Sequence, residues 1–289
     1  MRALRFLLRY PSLLVGGFVA VTMVSIAILA PWITFYPSEQ MDMANRFSGP
    51  SALHWLGTDN FGRDLWTRMA YGARVSLGIS FAAVFCSAVI GSTIGFIAGY
   101  FGGIVDNILM RITDAFLALP VLLLALALIA ALGTGVINII VALVAVFWTE
   151  YARVVRAATL SIRSRAFVDA ARIMGASHFY ILRREILPNA LGPIIVLATL
   201  GFGGALITES ALGFLGFGVA PPTPSWGWTL AYGTQYLRDA PWLSTVAGLA
   251  IMLTVLGFNL LGDGLRDALD TRRTPRVRTR RRWWRRVRP

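Results

Sequence analysis

Long apolar stretches dominate the chain and are separated by short polar segments. Six of them approach the roughly 20 residues that a helix needs to cross the hydrocarbon core of a bilayer. They cover about residues 13–35, 75–100, 108–132, 136–155, 191–214 and 243–261. Lipid cannot satisfy bare backbone amides, and a closed barrel would show short alternating segments, so we expect helices. The pattern predicts an all-α polytopic membrane protein with six transmembrane helices.

The distribution of arginine orients these spans. If both termini are cytoplasmic, 22 arginines fall on the inner side and five on the outer side. Cytoplasmic loops of membrane proteins carry an excess of basic residues. We therefore expect both termini in the cytoplasm, which agrees with an even number of spans.

Two of the outer connections are long. In the first, residues 37–74, Leu65, Trp66, Met69 and Ala70 recur at helical spacing, which suits a helix lying at the membrane interface. The second, residues 218–241, is rich in proline, glycine and tryptophan, which is typical of irregular structure with tryptophans at headgroup level. Each loop either merely joins two spans or forms a docking or gating surface.

About 30 cytoplasmic residues separate the fourth and fifth spans. Residues 154–174 predict a helix, Gly175 is suited to cap its C-terminus, and Ser177 is suited to start a second helix that Pro188 ends. The second helix carries its apolar residues on one side: Phe179, Leu182 and Ile186. Such a structure either rests on the membrane surface or pushes on a partner.

Composition agrees with a membrane protein and excludes several chemistries. The chain is 56% hydrophobic and 14% charged, with a mean hydropathy of +0.66, whereas soluble domains carry about a quarter charged residues. It contains no lysine, so it has no P-loop lysine and no Schiff-base lysine. Its single cysteine, Cys86, and its two distant histidines, His54 and His178, predict neither a disulfide nor a metal site. We expect no catalytic residue and no cofactor on this chain.

Carboxylates within the predicted spans include Asp114 and Glu209. Asp114 follows Arg111 by three residues, a spacing at which the two can pair on a helix. Glu209 lies deeper, beside Ser210. Carboxylates inside a membrane are expensive and usually functional. Asp114, Glu209 and Ser210 are therefore candidates for a subunit interface or for the substrate path, and a proton relay stays open.

The cytoplasmic segment also resembles a known motif. The run Asp169-Ala170-Ala171, followed by Gly175 and then by Leu187-Pro188, is similar to the EAA loop of ABC importer permeases. The resemblance implies a coupling loop at about residues 158–188 that seats in a groove of an ATPase subunit. It implies that the coupling residues are Asp169, Ala170, Ala171, Arg172, Gly175, Ala176, Ser177, Leu187 and Pro188. The chain departs from the family at Asp169, where glutamate is usual, and at Glu185, where an apolar residue is usual.

Further motifs narrow the resemblance to the C-type permease subunits of dipeptide and oligopeptide ABC importers, a group that also contains nickel transporters. The matching runs lie in order between about residues 54 and 270: His54–Asp59, Gly62–Asp64, Tyr71–Leu77, Thr208–Leu212, Phe214–Gly216, Pro221–Gly227 and Asn259–Asp267. The two outer loops then supply candidate docking residues: Gly57, Thr58, Asp59, Arg63, Asp64, Pro224 and Trp226.

The resemblance implies a type I importer permease in a prokaryotic plasma membrane, forming half of a path for peptides. It implies a B-type permease partner, two cytoplasmic ATP-binding subunits that hold ATP and Mg, and an extracytoplasmic substrate-binding protein. The chain would divide into residues 1–74, a permease core 75–270, and a disordered basic tail 271–289 with ten arginines suited to anionic lipid. The alternatives are a proton-coupled secondary transporter using Asp114 and Glu209, or an ABC importer of nickel or another small solute.

Overall fold

The computed structural model describes residues 10–269. Within this range the chain is almost entirely helical, with one short 3₁₀ turn, Met43–Asn45. The helices are α1 Pro11–Ile33, α2 Leu65–Phe101, α3 Gly103–Leu117, α4 Val121–Leu132, α5 Val136–Arg163, α6 Ala166–Ile173, α7 His178–Phe214, α8 Trp226–Thr234 and α9 Trp242–Leu269. The predicted basic tail, 271–289, lies outside the described residues.

The helices reproduce the predicted spans with one difference. Among the described residues, α1, α2, α5, α7 and α9 are each long and apolar enough to cross a membrane. The third predicted span is instead a bent pair, since α3 and α4 meet at an angle of 87°. Pro120 explains the bend, because it has no N–H to donate and disfavours helical geometry at Leu119. Counted as one span, the bent pair brings the total to six.

The predicted interface helix is not a separate element. Leu65, Met69 and Ala70 belong to the first turns of α2, which continues without a break for 37 residues. All three are at most 5% exposed and pack within the protein, so they do not lie on a membrane surface. The Asp64 carboxylate accepts a hydrogen bond from the Thr67 N–H and caps the start of this helix.

The buried apolar side chains form two separate cores. The larger core joins α2, α5, α7 and α9 and includes Leu77, Leu143, Leu206 and Leu243. The smaller core lies at the cytoplasmic end and is built by seven buried residues: Tyr100, Ile162, Val168, Ala171, Ile181, Ile186 and Ala190. The cytoplasmic segment is therefore packed onto the ends of α2 and α5 and does not hang freely.

Close packing fixes α2 to α5. Gly91, Gly95 and Gly99 recur every four residues along α2 and face the backbone of α5. A Cβ added at Gly95 would lie 2.6 Å from the Ala152 carbonyl oxygen. Small residues at this spacing let two membrane helices approach at the backbone. The two helices are thus held as one unit along the cytoplasmic half of α2.

Candidate functional sites on the cytoplasmic and outer sides

The cytoplasmic segment consists of α6, a tight turn and the start of α7. Gly175 has a φ of +79°, its N–H bonds the Arg172 carbonyl, and the Ala176 N–H bonds the Ala171 carbonyl at 3.0 Å. These bonds form a Schellman motif, in which the residue at the position of Gly175 is left-handed. Ser177 then accepts a bond from the Tyr180 N–H and starts α7. The predicted capping by Gly175 and Ser177 is confirmed.

Other details of the segment differ from the prediction. The helix expected over 154–174 breaks at Ser164, and Pro188 does not end the second helix. A π-helical turn, Ile181–Ile186, precedes Pro188, and the Leu187 N–H bonds the Leu182 carbonyl five residues back. The Asn189 side chain bonds the Glu185 carbonyl at 2.7 Å. Because the turn widens here, the backbone tolerates a proline in the first turn that follows.

The wider turn also changes which side chains the segment buries. Ile181 and Ile186 are fully buried, whereas Phe179, predicted to lie beside Ile186, is 71% exposed. Ile173 and Met174 are 87% and 79% exposed. The predicted common side for Phe179, Leu182 and Ile186 is therefore wrong. Three large apolar side chains instead project from the turn, which is typical of a surface that a partner covers.

A concavity of about 590 Å³ lies beside these exposed side chains. It brings together five of the predicted coupling residues: Ala170, Ala171, Gly175, Ala176 and Ser177. Asp169 and Arg172 lie on the same short helix and pair at 3.0 Å. Leu187 does not line the concavity and instead borders an apolar groove between α2 and α7. Pro188 is exposed on the turn next to it.

Ion pairs that are distant in sequence join α3 to α5. Asp114 bonds Arg153 at 2.7 Å, and the predicted pair with Arg111 is not the one that forms. Asp106 receives two bonds from Arg156, the second between Nη2 and Oδ2 at 2.6 Å. Fifty residues separate Asp106 from Arg156, so no local spacing signals this pair. Asp114 is largely exposed and ties two helices of this chain together.

Glu209 is enclosed within this chain. It is 1% exposed and accepts bonds from the hydroxyls of Ser76 on α2 at 3.3 Å and Ser210 at 3.2 Å. The Ser76 hydroxyl oxygen in turn accepts a bond from the Trp226 N–H at the start of α8. Glu209 and Ser210 were predicted to lie on the substrate path or a subunit interface. That role stays a prediction, and within this chain the two residues tie α7 to α2 and α8.

The outer loops bury the residues predicted to dock a partner. Thr58, Asp59, Arg63 and Asp64 are at most 9% exposed, and Trp226 is 2% exposed. Gly57 and Pro224 are buried as well. Their docking role stays a prediction, and within this chain these residues are part of the packed outer loops. The large apolar side chains that the first outer loop exposes are Met41, Met43, Leu53, Trp55 and Phe61.

Paired charges explain this burial. Asp59 pairs with Arg63 at 2.6 Å and lies 3.8 Å from Arg68 on α2. Asp64 bonds the His54 ring at 2.9 Å. Burial, together with a hydrogen bond to Tyr236, raises the pKa of Tyr232, which lies against Asp59 and Arg63. Buried charges are tolerated when they are paired in this way.

Comparison with known proteins agrees with these features. Residues 91–275 match the model of the family described as binding-protein-dependent transport system inner membrane component. The dipeptide transport system permease protein DppC of Alkalihalophilus pseudofirmus is 46% identical over 257 residues, which cover 89% of this chain and 84% of that protein. The glutathione transport system permease protein GsiD of Escherichia coli O6:K15:H31 is 43% identical, over 86% of this chain and 83% of that protein.

Solved structures show the same fold. The chain superimposes on an inward-facing MetNI methionine ABC transporter with a TM-score of 0.58 and 22% identity, covering 70% of this chain and 96% of that chain. For an amino acid ABC transporter with histidines the TM-score is 0.52 at 17% identity, covering 67% and 90%. The predicted fold, an α-helical permease of the type I importer kind, is confirmed. The chain belongs to the family of binding-protein-dependent transport system inner membrane components, and is therefore a multi-pass membrane permease and not in itself an enzyme.

Proposed function

We propose that this chain is the C-type permease subunit of an ATP-driven importer for di- and oligopeptides. The named relatives carry dipeptides, di- and tripeptides, or glutathione, and each of these substrates is a short peptide. Identity of 41–46% extends over about nine tenths of the chain. Short peptides are therefore the proposed substrate class.

The observation that carries this proposal is the exposed surface of the cytoplasmic segment. Ile173, Met174 and Phe179 are exposed near a concavity whose lining includes three alanines and a glycine. Small side chains allow the backbone of a partner to approach closely. The exposed side chains of Ile173, Met174 and Phe179 supply apolar area that a partner can bury. An ATPase subunit that closes on ATP would move this segment, and the bundle would alternate between inward- and outward-open states.

The remaining partners follow from the same proposal. A B-type permease would complete the path as the second half of a heterodimer, and an extracytoplasmic binding protein would deliver peptide to the outer loops. Two ATPase subunits would bind ATP and Mg, because a chain without lysine lacks the residue that a P-loop uses to contact phosphates. This chain would thus have no ATP site of its own and would undergo no covalent chemistry.

Uptake by reconstituted vesicles tests the proposal. The complete complex, with its own B-type permease, ATPase subunits and binding protein, is incorporated into proteoliposomes with ATP on the ATPase side. We expect a labelled dipeptide to accumulate only with ATP and equally well with a protonophore. Unlabelled tripeptide should compete, whereas a nickel chelate or a free amino acid should not. Uptake that is driven by a proton gradient without ATP would overturn the proposal, and competition only by the nickel chelate would overturn its substrate class.

A further inference from the structure

The cytoplasmic end of α2 is held by a side chain from α5. The last carbonyls of a helix have no partner within that helix. Here Arg163 Nη1 donates to the Gly99 carbonyl at 3.1 Å and to the Tyr100 carbonyl at 2.6 Å. A cation at a helix C-terminus also interacts favourably with the helix dipole. Arg163 is the last residue of α5, so the ends of α2 and α5 are joined just before the segment begins.

The segment itself bonds to the same helix end. Tyr100 Oη lies 2.8 Å from Nδ1 of His178, the first residue of α7. The two rings also meet edge to face, with centroids 5.6 Å apart. Tyr100 is 6% exposed and belongs to the small cytoplasmic core with Val168 and Ile181. Tyr100 therefore contacts the segment through a directed bond as well as through packing.

The outer end of α2 is also bonded to neighbouring elements. Asp64 caps the helix, and Arg68 lies beside Asp59 of the outer loop. The Met69 carbonyl accepts a bond from the Trp226 indole at 3.0 Å. The ties between Ser76 and Glu209 described above add α7 and α8 to this end. One uninterrupted helix, about 55 Å long at 1.5 Å per residue, thus joins the cytoplasmic segment to both outer loops.

We propose that α2 carries motion of the ATPase-facing segment to the outer loops, and that Tyr100 and His178 are the positioning residues through which this motion enters α2. This inference rests on the proposed function and assigns roles to residues that the motif of the cytoplasmic segment does not include. Because α2 is hydrogen-bonded at both ends, it moves as a rigid body. Its close packing on α5 prevents it from rotating independently of α5. Loss of the hydrogen bond between Tyr100 and His178 would leave ATP hydrolysis intact but reduce the movement of the outer loops that accompanies it.

The test compares peptide transported per ATP hydrolysed in proteoliposomes containing the complete complex. Tyr100→Phe removes one hydroxyl from a buried ring, so it cannot disturb a surface contact with the ATPase. We expect the ratio to fall roughly three- to ten-fold, because the variant loses one hydrogen bond. Assembly of the complex and its basal ATP hydrolysis should be unchanged. His178→Phe should lower the ratio similarly, and His178→Asn, which can donate or accept near the same point, should restore it.

Two further variants make the outcome decisive. The double variant Tyr100→Phe/His178→Phe should be no worse than either single variant, since both remove the same bond. Thr93→Val, which removes an exposed hydroxyl of α2 that bonds the Val89 carbonyl of the same helix, should leave the ratio unchanged. A wild-type ratio for Tyr100→Phe, or additive losses in the double variant, would overturn the inference. If Tyr100→Phe does not assemble, equal ratios for His178→Phe and His178→Asn would overturn it. If the wild-type complex transports no peptide with ATP, it is the proposed function that fails.

Discussion

Charged side chains in this protein mainly hold its own helices and loops together. Glu209 is the strongest case, because burying a carboxylate at that depth in the membrane costs free energy unless the carboxylate is hydrogen-bonded. Its type and position could be predicted from the sequence, but its partner could not, since 133 residues separate it from Ser76. Asp106 and Arg156 were not identified from the sequence at all, and 50 residues separate them. A sequence indicates that a buried charge needs a partner, and only the three-dimensional packing identifies that partner.

Substitution of Glu209 distinguishes a structural tie from a residue of the substrate path. Glu209→Ala leaves Ser76 without its acceptor and opens a cavity, so we expect it to destabilise the protein by roughly 2–4 kcal/mol. Glu209→Gln keeps the shape and can still accept a hydrogen bond, so its loss should be about 1 kcal/mol or less. Unfolding midpoints of the purified protein in detergent measure both. A stable Glu209→Ala variant that has lost transport would instead place the residue on the path.

At the scale of helices, hydrophobic periodicity predicted where the spans lie but not where they bend or join. The bend before Pro120 has a visible cause in the sequence, yet the same residue type at Pro188 interrupts nothing, because a π-helical turn accommodates it. The continuity of α2 was missed for another reason. Leu65 and Met69 show helical spacing whether their neighbours are lipid or protein, and only the larger core shows that the protein covers them.

The packing of α2 on α5 predicts a contrast between two glycines of the same helix. Gly95→Ala places a Cβ 2.6 Å from the Ala152 carbonyl oxygen and 2.9 Å from the Arg156 nitrogen, both backbone atoms. The helices must then separate, and we expect a loss of roughly 1–3 kcal/mol. Gly78→Ala is the matched control, because its Cβ would meet nothing within 4 Å. It should leave the unfolding midpoint unchanged or slightly higher. Equal effects at the two positions would contradict the packing of α2 on α5.

At the scale of the whole molecule, both ends of the fold expose apolar side chains. The cytoplasmic end exposes apolar side chains around Gly175, and the outer end exposes them around Trp55. Between them lies a bundle in which two ion pairs, Asp106 with Arg156 and Asp114 with Arg153, join α3 to α5. The motif of the cytoplasmic segment could be identified from the sequence, as could its two caps. Which side chains are exposed could not be predicted, because the π-helical turn at Ile181–Ile186 breaks the helical period that had placed Phe179 beside Ile186.

The central claim is that the cytoplasmic segment is the surface on which the ATPase subunit docks. The photoreactive residue p-benzoylphenylalanine, placed at position 174 in the assembled complex, tests this claim most directly. The native Met174 is 79% exposed, so the substitution should not disturb the fold. The same residue at position 237, where Leu237 is 54% exposed in the outer loop, is the matched control. On irradiation, position 174 should form an adduct with the ATPase subunit and position 237 should not. An ATPase adduct from both positions, or from neither, would contradict the account.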